Sequence, residues 1–281
     1  MAEASSKAIK ATYAVVSGAN KGIGFEICRQ LASHGITVVL TARYEKKGLQ
    51  AINQLKGTAL SDHVIFHQLD VTDLESIALL AKFIKSQFGK LDILIREANV
   101  NWDELVTQTY EAAVEGLQTN YYGAKRLSEA LLPLLRLSDS PRIVNVSSAS
   151  GKLKYITNEW AKEVLIDAEN LGEESLDQVL NEFLKNFQDG NLYVEGQPGV
   201  LAAYTISKAA MNAYTRILAK KYPGFRINSV CPGYVKTDIN CNTGILAVEE
   251  GAESVVRLAL LPVDGPSGLF FVRNEVSSLE E

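Results

Sequence analysis

Tyr204 and Lys208 stand four residues apart in the run Tyr204-Thr205-Ile206-Ser207-Lys208. On an α-helix that spacing puts both side chains on one face, about one turn apart. A free phenol titrates near pH ~10, and a neighbouring ammonium favours its ionised form. A phenol drawn toward working pH can exchange a proton with a carbonyl oxygen while hydride arrives at the carbon. Ser148 ends an apolar run, and its hydroxyl could hold the same oxygen. The Tyr/Lys spacing is common by chance, so its meaning depends on the rest of the chain.

A second constellation is Ser17-Gly18-Ala19-Asn20-Lys21-Gly22-Ile23-Gly24. Glycines let the backbone turn sharply and approach a diphosphate closely. A helix starting there would offer free N–H groups and a positive dipole end. Lys21 lies in this turn, and Arg43 follows the next apolar run, where an acid often reads a ribose hydroxyl. Cations at both places favour a 2′-phosphate, because charge-assisted pairing to phosphate is strong. The expected cofactor is therefore NADPH. Asp70 could accept a hydrogen bond from the adenine, with Val71 beside it, or could serve the helix that follows.

These residues need elements to position them. Apolar runs at residues 12–17, 36–41, 63–69, 91–95, 142–147, 226–231 and 269–272 read as about seven strands. Helical patterns at residues 22–34, 73–88 and 109–132 alternate with them, Gly35 being a natural stop for the first. Alternating strands and helices predict one doubly wound, Rossmann-like parallel sheet spanning residues 1–281 as a single domain. Ligands in such folds lie beyond the carboxyl ends of the strands. Residues 152–200 break the rhythm, with Leu176, Val179, Leu180, Phe183, Leu184 and Phe187 at helical spacing. That segment is expected to be a helical insertion covering the substrate. Trp160, Tyr193 and Met211 could line a pocket or pack in the core.

Composition excludes other classes. The net charge of −5 argues against nucleic-acid binding. No run of ~18 apolar residues is present, so no membrane span is expected, and the N-terminal residues lack the apolar stretch of a signal peptide. A cytoplasmic location is expected. The three cysteines and three histidines show no metal-ligand spacing, so no metal is expected.

The order of the motifs resembles the short-chain dehydrogenase/reductase family over nearly the whole chain. Ser17–Gly24 resembles its glycine motif, and Asn120-Tyr121-Tyr122-Gly123 its Asn-x-x-Gly segment. The run ending at Ser148, the pair Tyr204 and Lys208, and Cys231-Pro232-Gly233-Tyr234-Val235-Lys236-Thr237-Asp238 match three further motifs. The long segment before Tyr204 is similar to the monomeric carbonyl-reductase subgroup with its plant terpenoid and alkaloid ketone reductases. The resemblance implies Tyr204 as acid/base and Lys208 as its tuner and ribose ligand. It implies Ser148 on the substrate carbonyl and Asn120 holding a water that leads to Lys208. Gly18, Asn20, Lys21, Gly22, Ile23, Gly24, Arg43, Asp70, Val71, Pro232, Gly233, Val235 and Thr237 would border NADPH. A monomer acting on a small apolar ketone or aldehyde is implied.

One motif departs. The family's fourth strand ends in Asn-Asn-Ala-Gly, whereas here Ile95 is followed by Arg96-Glu97-Ala98-Asn99. A bulky charged pair could obstruct the cofactor or be forced outward, and a loop present in related enzymes could be missing after this strand. Two alternatives follow: a weakly active or inactive relative acting by binding only, and a reductase of conjugated C=C bonds.

Overall fold

Apolar strands covered on both faces build the sheet, as a parallel sheet requires. The computed structural model describes residues 11–98, 109–189 and 201–281. The strands are β1 (Tyr13–Val16), β2 (Thr37–Ala42), β3 (Val64–Gln68), β4 (Ile93–Arg96), β5 (Arg142–Val146), β6 (Arg226–Cys231), β7 (Phe270–Val272) and β8 (Glu275–Val276). They lie in the order β3-β2-β1-β4-β5-β6-β7-β8. All pairings are parallel except β7 with β8. The order reverses between β1 and β4, which is where such sheets open a crevice for ligands. The strand not expected from sequence is β8, whose two residues are too few to show a period.

Alternation along each strand assigns residues to two cores. Val15, Val39, Leu94 and Ile143 feed one; Ala14, Val16, Val38, Leu40, Ile93, Ile95 and Val144 feed the other. The helices that cover these faces are α1 (Gly22–Ser33), α2 (Glu45–Leu55), α3 (Leu74–Phe88), α4 (Tyr110–Leu117), α5 (Gly123–Leu135), α6 (Glu159–Ile166), α7 (Glu173–Gln188), α8 (Ala202–Lys221) and α9 (Val248–Ala259). The sequence patterns did not reveal α2, α6 or α9. In α2 only Gly48, Ala51 and Leu55 are buried, too few for a clear apolar face.

The helix expected over residues 109–132 is interrupted. A π turn, Gln118–Tyr122, separates α4 from α5. Such bulges occur often at functional sites. Here the turn aims two consecutive residues at different partners. Asn120 Nδ2 donates to Ser207 Oγ on α8 at 3.1 Å. The Tyr121 hydroxyl donates to Asp177 on α7 at 3.0 Å.

The described part of the insertion is built into the core. Leu176, Val179, Leu180 and Phe183 are fully buried and join the cluster that holds Leu127 and Tyr214. Polar contacts fix the outside: Lys125 Nζ lies 2.9 Å from Asp177 and 3.3 Å from Glu173. The Arg216 guanidinium donates to the carbonyls of Leu165 and Ile166. Residues 190–200, with Tyr193, lie outside the described residues. Met211 is buried, and Trp160 stands half-exposed in an open groove with Asn158, Gln178 and Glu182.

Cys28 and Cys231 are buried and Cys241 is exposed. Among the described residues no cluster of His, Cys, Asp or Glu could hold a metal, and no helix is long and apolar enough to cross a membrane. Because Phe183 shares the main core, Phe183→Ala is expected to lower the unfolding free energy by about 3–5 kcal/mol. Urea unfolding followed by circular dichroism should show one shifted transition. An unchanged midpoint would mean that α7 is a detachable decoration.

Candidate active site

The glycine turn joins β1 to α1 at the point where strand order reverses. Gly18 and Gly22 adopt φ of +59° and +56°, a region that residues with a Cβ rarely enter. At Gly24 a Cβ would lie 2.6 Å from the carbonyl oxygen of Gly18, so only glycine lets the helix start pack on the turn. Asn20 and Ile23 are half-buried beside it. No side chain caps the first N–H groups of α1, and its first turn carries no acid. The corner therefore fits a diphosphate.

The loop after β6 closes over the same corner. Gly233 has a φ of +93°, while Pro232 and Val235 are buried. The Thr237 methyl carbon lies 3.6 Å from where a Cβ of Gly22 would stand. Lys21 Nζ lies 2.6 Å from the Asp238 carboxylate, both side chains being largely exposed. That pairing holds the Asp238 carboxyl below its usual range, mainly through the hydrogen bond from Lys21. Arg43 is exposed after β2, its guanidinium 5.0 Å from the centre of the Tyr44 ring.

Asp70 Oδ1 accepts hydrogen bonds from the backbone N–H of Thr72 at 2.9 Å and its hydroxyl at 2.7 Å. Asp73, and not Asp70, caps α3 by accepting from Glu75 N–H at 2.9 Å. Of the two roles open to Asp70, helix capping thus falls to its neighbour. Val71 packs on the core beside Gly123.

Ser148, Tyr204 and Lys208 assemble where the end of β5 meets the start of α8. Lys208 Nζ donates to the Val146 carbonyl at 2.9 Å, which ties α8 to the last residue of β5. The Ser148 side chain acts on the Tyr204 phenol, favouring its ionised form. Ser148 Oγ also accepts from Ser150 N–H at 3.1 Å. Ser207 links the remaining member: its hydroxyl receives Asn120 Nδ2 and donates to the Tyr204 carbonyl at 2.7 Å. Asn120 Oδ1 is buried without a protein partner, which fits a site for water.

The expected depression of the Tyr204 phenol does not occur. Burial pushes it up, and the charges of Glu97 and Cys231 add to the rise, against a hydrogen bond from Ser148. The Lys208 ammonium lies over the Tyr204 ring, 5.5 Å from its centre, with a proton committed to Val146. Burial lowers Lys208 itself, opposed by Glu97 and Cys231. Burial thus works against charge on both members of the pair.

The end of β4 resolves into two separate roles. Arg96 shares the parity of Leu94 and enters the core, 2% exposed. Its guanidinium donates to Asn145 Oδ1, to the Ala124 carbonyl and to Ser128 Oγ, the last two at 2.6 Å. It lies 5.4 Å from the centre of the Tyr214 ring. No carboxylate pairs with it among the described residues, and burial pushes it down to about 10. The expectation of an ion pair that either obstructs the cofactor or is forced outward is corrected for Arg96: the strand alternation sends it inward, away from Glu97. Glu97 stays at the carboxyl end of the sheet. Ser17 Oγ donates to its carbonyl at 2.6 Å and accepts its N–H at 3.1 Å. Burial pushes the Glu97 carboxyl up to about 7, against the pull of Lys208. Asn99 lies outside the described residues.

Sequence reasoning missed three supporting residues. A Cβ at Gly151 would lie 2.7 Å from the Lys208 carbonyl carbon, so this glycine admits α8 to the Ser148 turn. Ser207 sits inside the Tyr-x-x-x-Lys segment without a motif of its own. Glu97 was visible only as a misfit, not as the residue that Ser17 clasps.

A doubly wound sheet with a glycine corner at its switch point, and a serine, tyrosine and lysine gathered at adjacent strand ends, defines a nucleotide-binding α/β oxidoreductase. The chain belongs to the short-chain dehydrogenase/reductase family: the model described as short chain dehydrogenase matches residues 12–159, and that described as Enoyl-(Acyl carrier protein) reductase matches residues 193–263. A (+)-neomenthol dehydrogenase of Arabidopsis thaliana is 56% identical over 287 aligned positions, covering 94% of this chain and 97% of that protein. Those positions exceed the 281 residues of the chain, so the relative carries positions opposite which this chain has none. Carbonyl reductase [NADPH] 1 of Bos taurus is 37% identical, covering 94% of this chain and 96% of that one. The solved structure of salutaridine reductase from Papaver somniferum superposes with a TM-score of 0.87 at 50% identity, covering 93% of this chain and 99% of that one. The family relationship points to a nicotinamide cofactor.

Arg96 uses Nε and Nη1 of its planar guanidinium, leaving Nη2 buried without a hydrogen-bond partner, and an ammonium on a single stem cannot span the same three acceptors. Arg96→Lys is therefore expected to lower stability by about 1–3 kcal/mol. Chemical denaturation monitored by tryptophan fluorescence would check this, and an unchanged midpoint would contradict the assigned hydrogen bonds.

Proposed function

We propose that this chain is a carbonyl reductase that uses NADPH to reduce a ketone or aldehyde on a small, apolar, terpenoid- or alkaloid-like molecule to the alcohol. One observation carries this reading. Ser148 acts on the Tyr204 phenol one helical turn from Lys208, which is tied to the end of β5, beside a glycine corner suited to a diphosphate. The bound nicotinamide would supply hydride to the carbonyl carbon. Tyr204 would deliver the proton to the oxygen, and Ser148 would hold that oxygen by a hydrogen bond. A phenol kept protonated by burial is in the correct form to act as the acid in reduction. Asn120, through its unpartnered Oδ1 and a water, would return a proton toward Lys208.

Gly18, Asn20, Lys21, Gly22, Ile23 and Gly24 would hold the diphosphate end, and Asp70 and Val71 the adenine side. Lys208, Pro232, Gly233, Val235 and Thr237 would hold the nicotinamide end. The preference for the phosphorylated cofactor rests on Arg43, which is exposed at the end of β2. Lys21 contributes only when it exchanges Asp238 for phosphate. The printed cofactor in the name of the Bos taurus relative agrees with this preference. The helical insertion over residues 152–200 is proposed to shelter the substrate. It packs on α8, and this favours a monomer: sedimentation should give a concentration-independent mass near 30.7 kDa. A stable tetramer would contradict that reading.

A second reading is favoured by one observation: an acid, Glu97, follows β4 and is clasped through its backbone to Ser17 at the glycine turn. An acid there could weaken cofactor binding enough to leave a protein that only binds its ligand. Retained Tyr204 favours ketone reduction over C=C reduction. Three outcomes separate these. Tyr204→Phe should lose about 100-fold or more in kcat while NADPH still binds. No heat of NADPH binding at millimolar cofactor would favour the inert relative. A cyclic enone converted to the saturated ketone, with no allylic alcohol, would favour the C=C reductase.

A further inference from the structure

The helix that carries Asn120 is broken by the π turn Gln118–Tyr122. That turn holds one residue more than an α-helical turn, and the N–H of Gly123 reaches back to the Gln118 carbonyl. The backbone alone does not say where along the helix the extra residue must fall. Sliding the bulge past Asn120 would rotate that residue by about 100° around the helix axis and carry its amide away from Ser207. Side-chain contacts therefore have to fix the turn in place.

Asp177, on α7 of the insertion, makes two of them. Its Oδ1 accepts the Tyr121 hydroxyl at 3.0 Å, and its Oδ2 lies 2.9 Å from Lys125 Nζ. Tyr121 sits in the π turn and Lys125 in the first turn of α5. One carboxylate thus grips the chain on both sides of the point where the α-helix resumes. The Tyr121 ring is fully buried and packs edge-on against Tyr122 and Tyr214. A buried hydroxyl has to find a partner, and here the insertion provides it. The residue before it, Asn120, donates to Ser207 at 3.1 Å, between Tyr204 and Lys208 in the chain.

We propose that Asp177 is a positioning residue: by accepting the Tyr121 hydroxyl it fixes the π turn in the register that keeps the Asn120 amide on Ser207, so the insertion braces the proton path of the active site. This rests on the function proposed above, because it takes Asn120 as the member that returns a proton toward Lys208. Asp177 and Tyr121 do not touch the reacting atoms, and no bond is made or broken at either. Removing the hydroxyl alone leaves the Tyr121 ring packed and leaves Asp177 paired with Lys125, so Tyr121→Phe takes away the brace and little else.

The test is steady-state reduction of alkyl-substituted cyclohexanones with NADPH by the full-length protein. Tyr121→Phe and Asp177→Ala should each lower kcat by about 10- to 100-fold, the cost of a small displacement within an active site, with the KM for NADPH unchanged. Asp177→Asn breaks the ion pair with Lys125 but keeps an acceptor for the hydroxyl, and should retain most of the wild-type kcat. The deciding measurement is a double variant. Asn120→Ala should lower kcat by itself, and adding Tyr121→Phe should then change it by less than about twofold, because both act through one amide. Asp177→Ala, at a partly exposed position, gives the same reading in the double variant if Tyr121→Phe fails to fold.

Full kcat in Tyr121→Phe, or losses that multiply in the double variant, would overturn the proposal and leave the reductase reading intact. So would an Asp177→Asn protein as slow as Asp177→Ala, since the ion pair and not the hydroxyl would then be the brace. Full kcat in Asn120→Ala would remove the role given to Asn120, and this proposal with it. A wild type that reduces none of these ketones would overturn the functional reading itself.

Discussion

The hydrogen bond from Lys208 to the Val146 carbonyl is the constraint on which the site depends. It fastens α8 to the end of β5, and everything reactive is then placed by geometry. One turn up the helix, Tyr204 meets Ser148, two residues beyond Val146. The close approach exists only because Gly151 has no Cβ to intervene. From the other side, the π turn brings Asn120 against Ser207. A buried amine without this partner would be costly, since a desolvated ammonium needs compensating hydrogen bonds. The same burial keeps the Tyr204 proton in place.

The end of β4 shows how one motif's loss is accommodated. Two charged residues stand where relatives of this fold place two asparagines. Strand alternation separates them, one into a helix layer and one toward the crevice. Arg96 survives in the core because neutral acceptors and an aromatic face surround it. Glu97 survives because its backbone is clasped by Ser17 and its carboxyl titrates near neutrality. The parallel pairing of β4 with β5 runs through this point, with Arg96 opposite Asn145. The fold therefore tolerates the replacement, and its consequences fall on the electrostatics of the crevice.

The described part of the insertion is part of the core, whatever else it covers. Its apolar face closes the flank formed by α4, α5 and α8, and two lysines, Lys125 and Lys221, bridge Glu173. A helix so held contributes to the stability of the whole unit, and its packing face is no longer available to another subunit.

Much was legible before any coordinates. The strand–helix alternation, the glycine turn, Ser148, Tyr204 and Lys208 are local patterns, and local patterns follow from backbone sterics and helical spacing. By contrast, α2 and β8 were hidden, because a helix with few buried residues and a two-residue strand carry almost no periodic signal. The direction of the Tyr204 shift was also hidden, since spacing places an ammonium one turn away but cannot say that it lies over the ring and spends a proton on Val146. The sequence by itself determined which groups could do chemistry and the order in which strands present them. Only the tertiary structure decided that Arg96 goes inward, that Glu97 is clasped by Ser17 at the glycine turn, and that burial outweighs the cation at Tyr204. Those outcomes depend on contacts between segments far apart in the chain, such as Arg96 with Asn145 and Ser17 with Glu97, and on the exclusion of water, neither of which is written in any short stretch of chain.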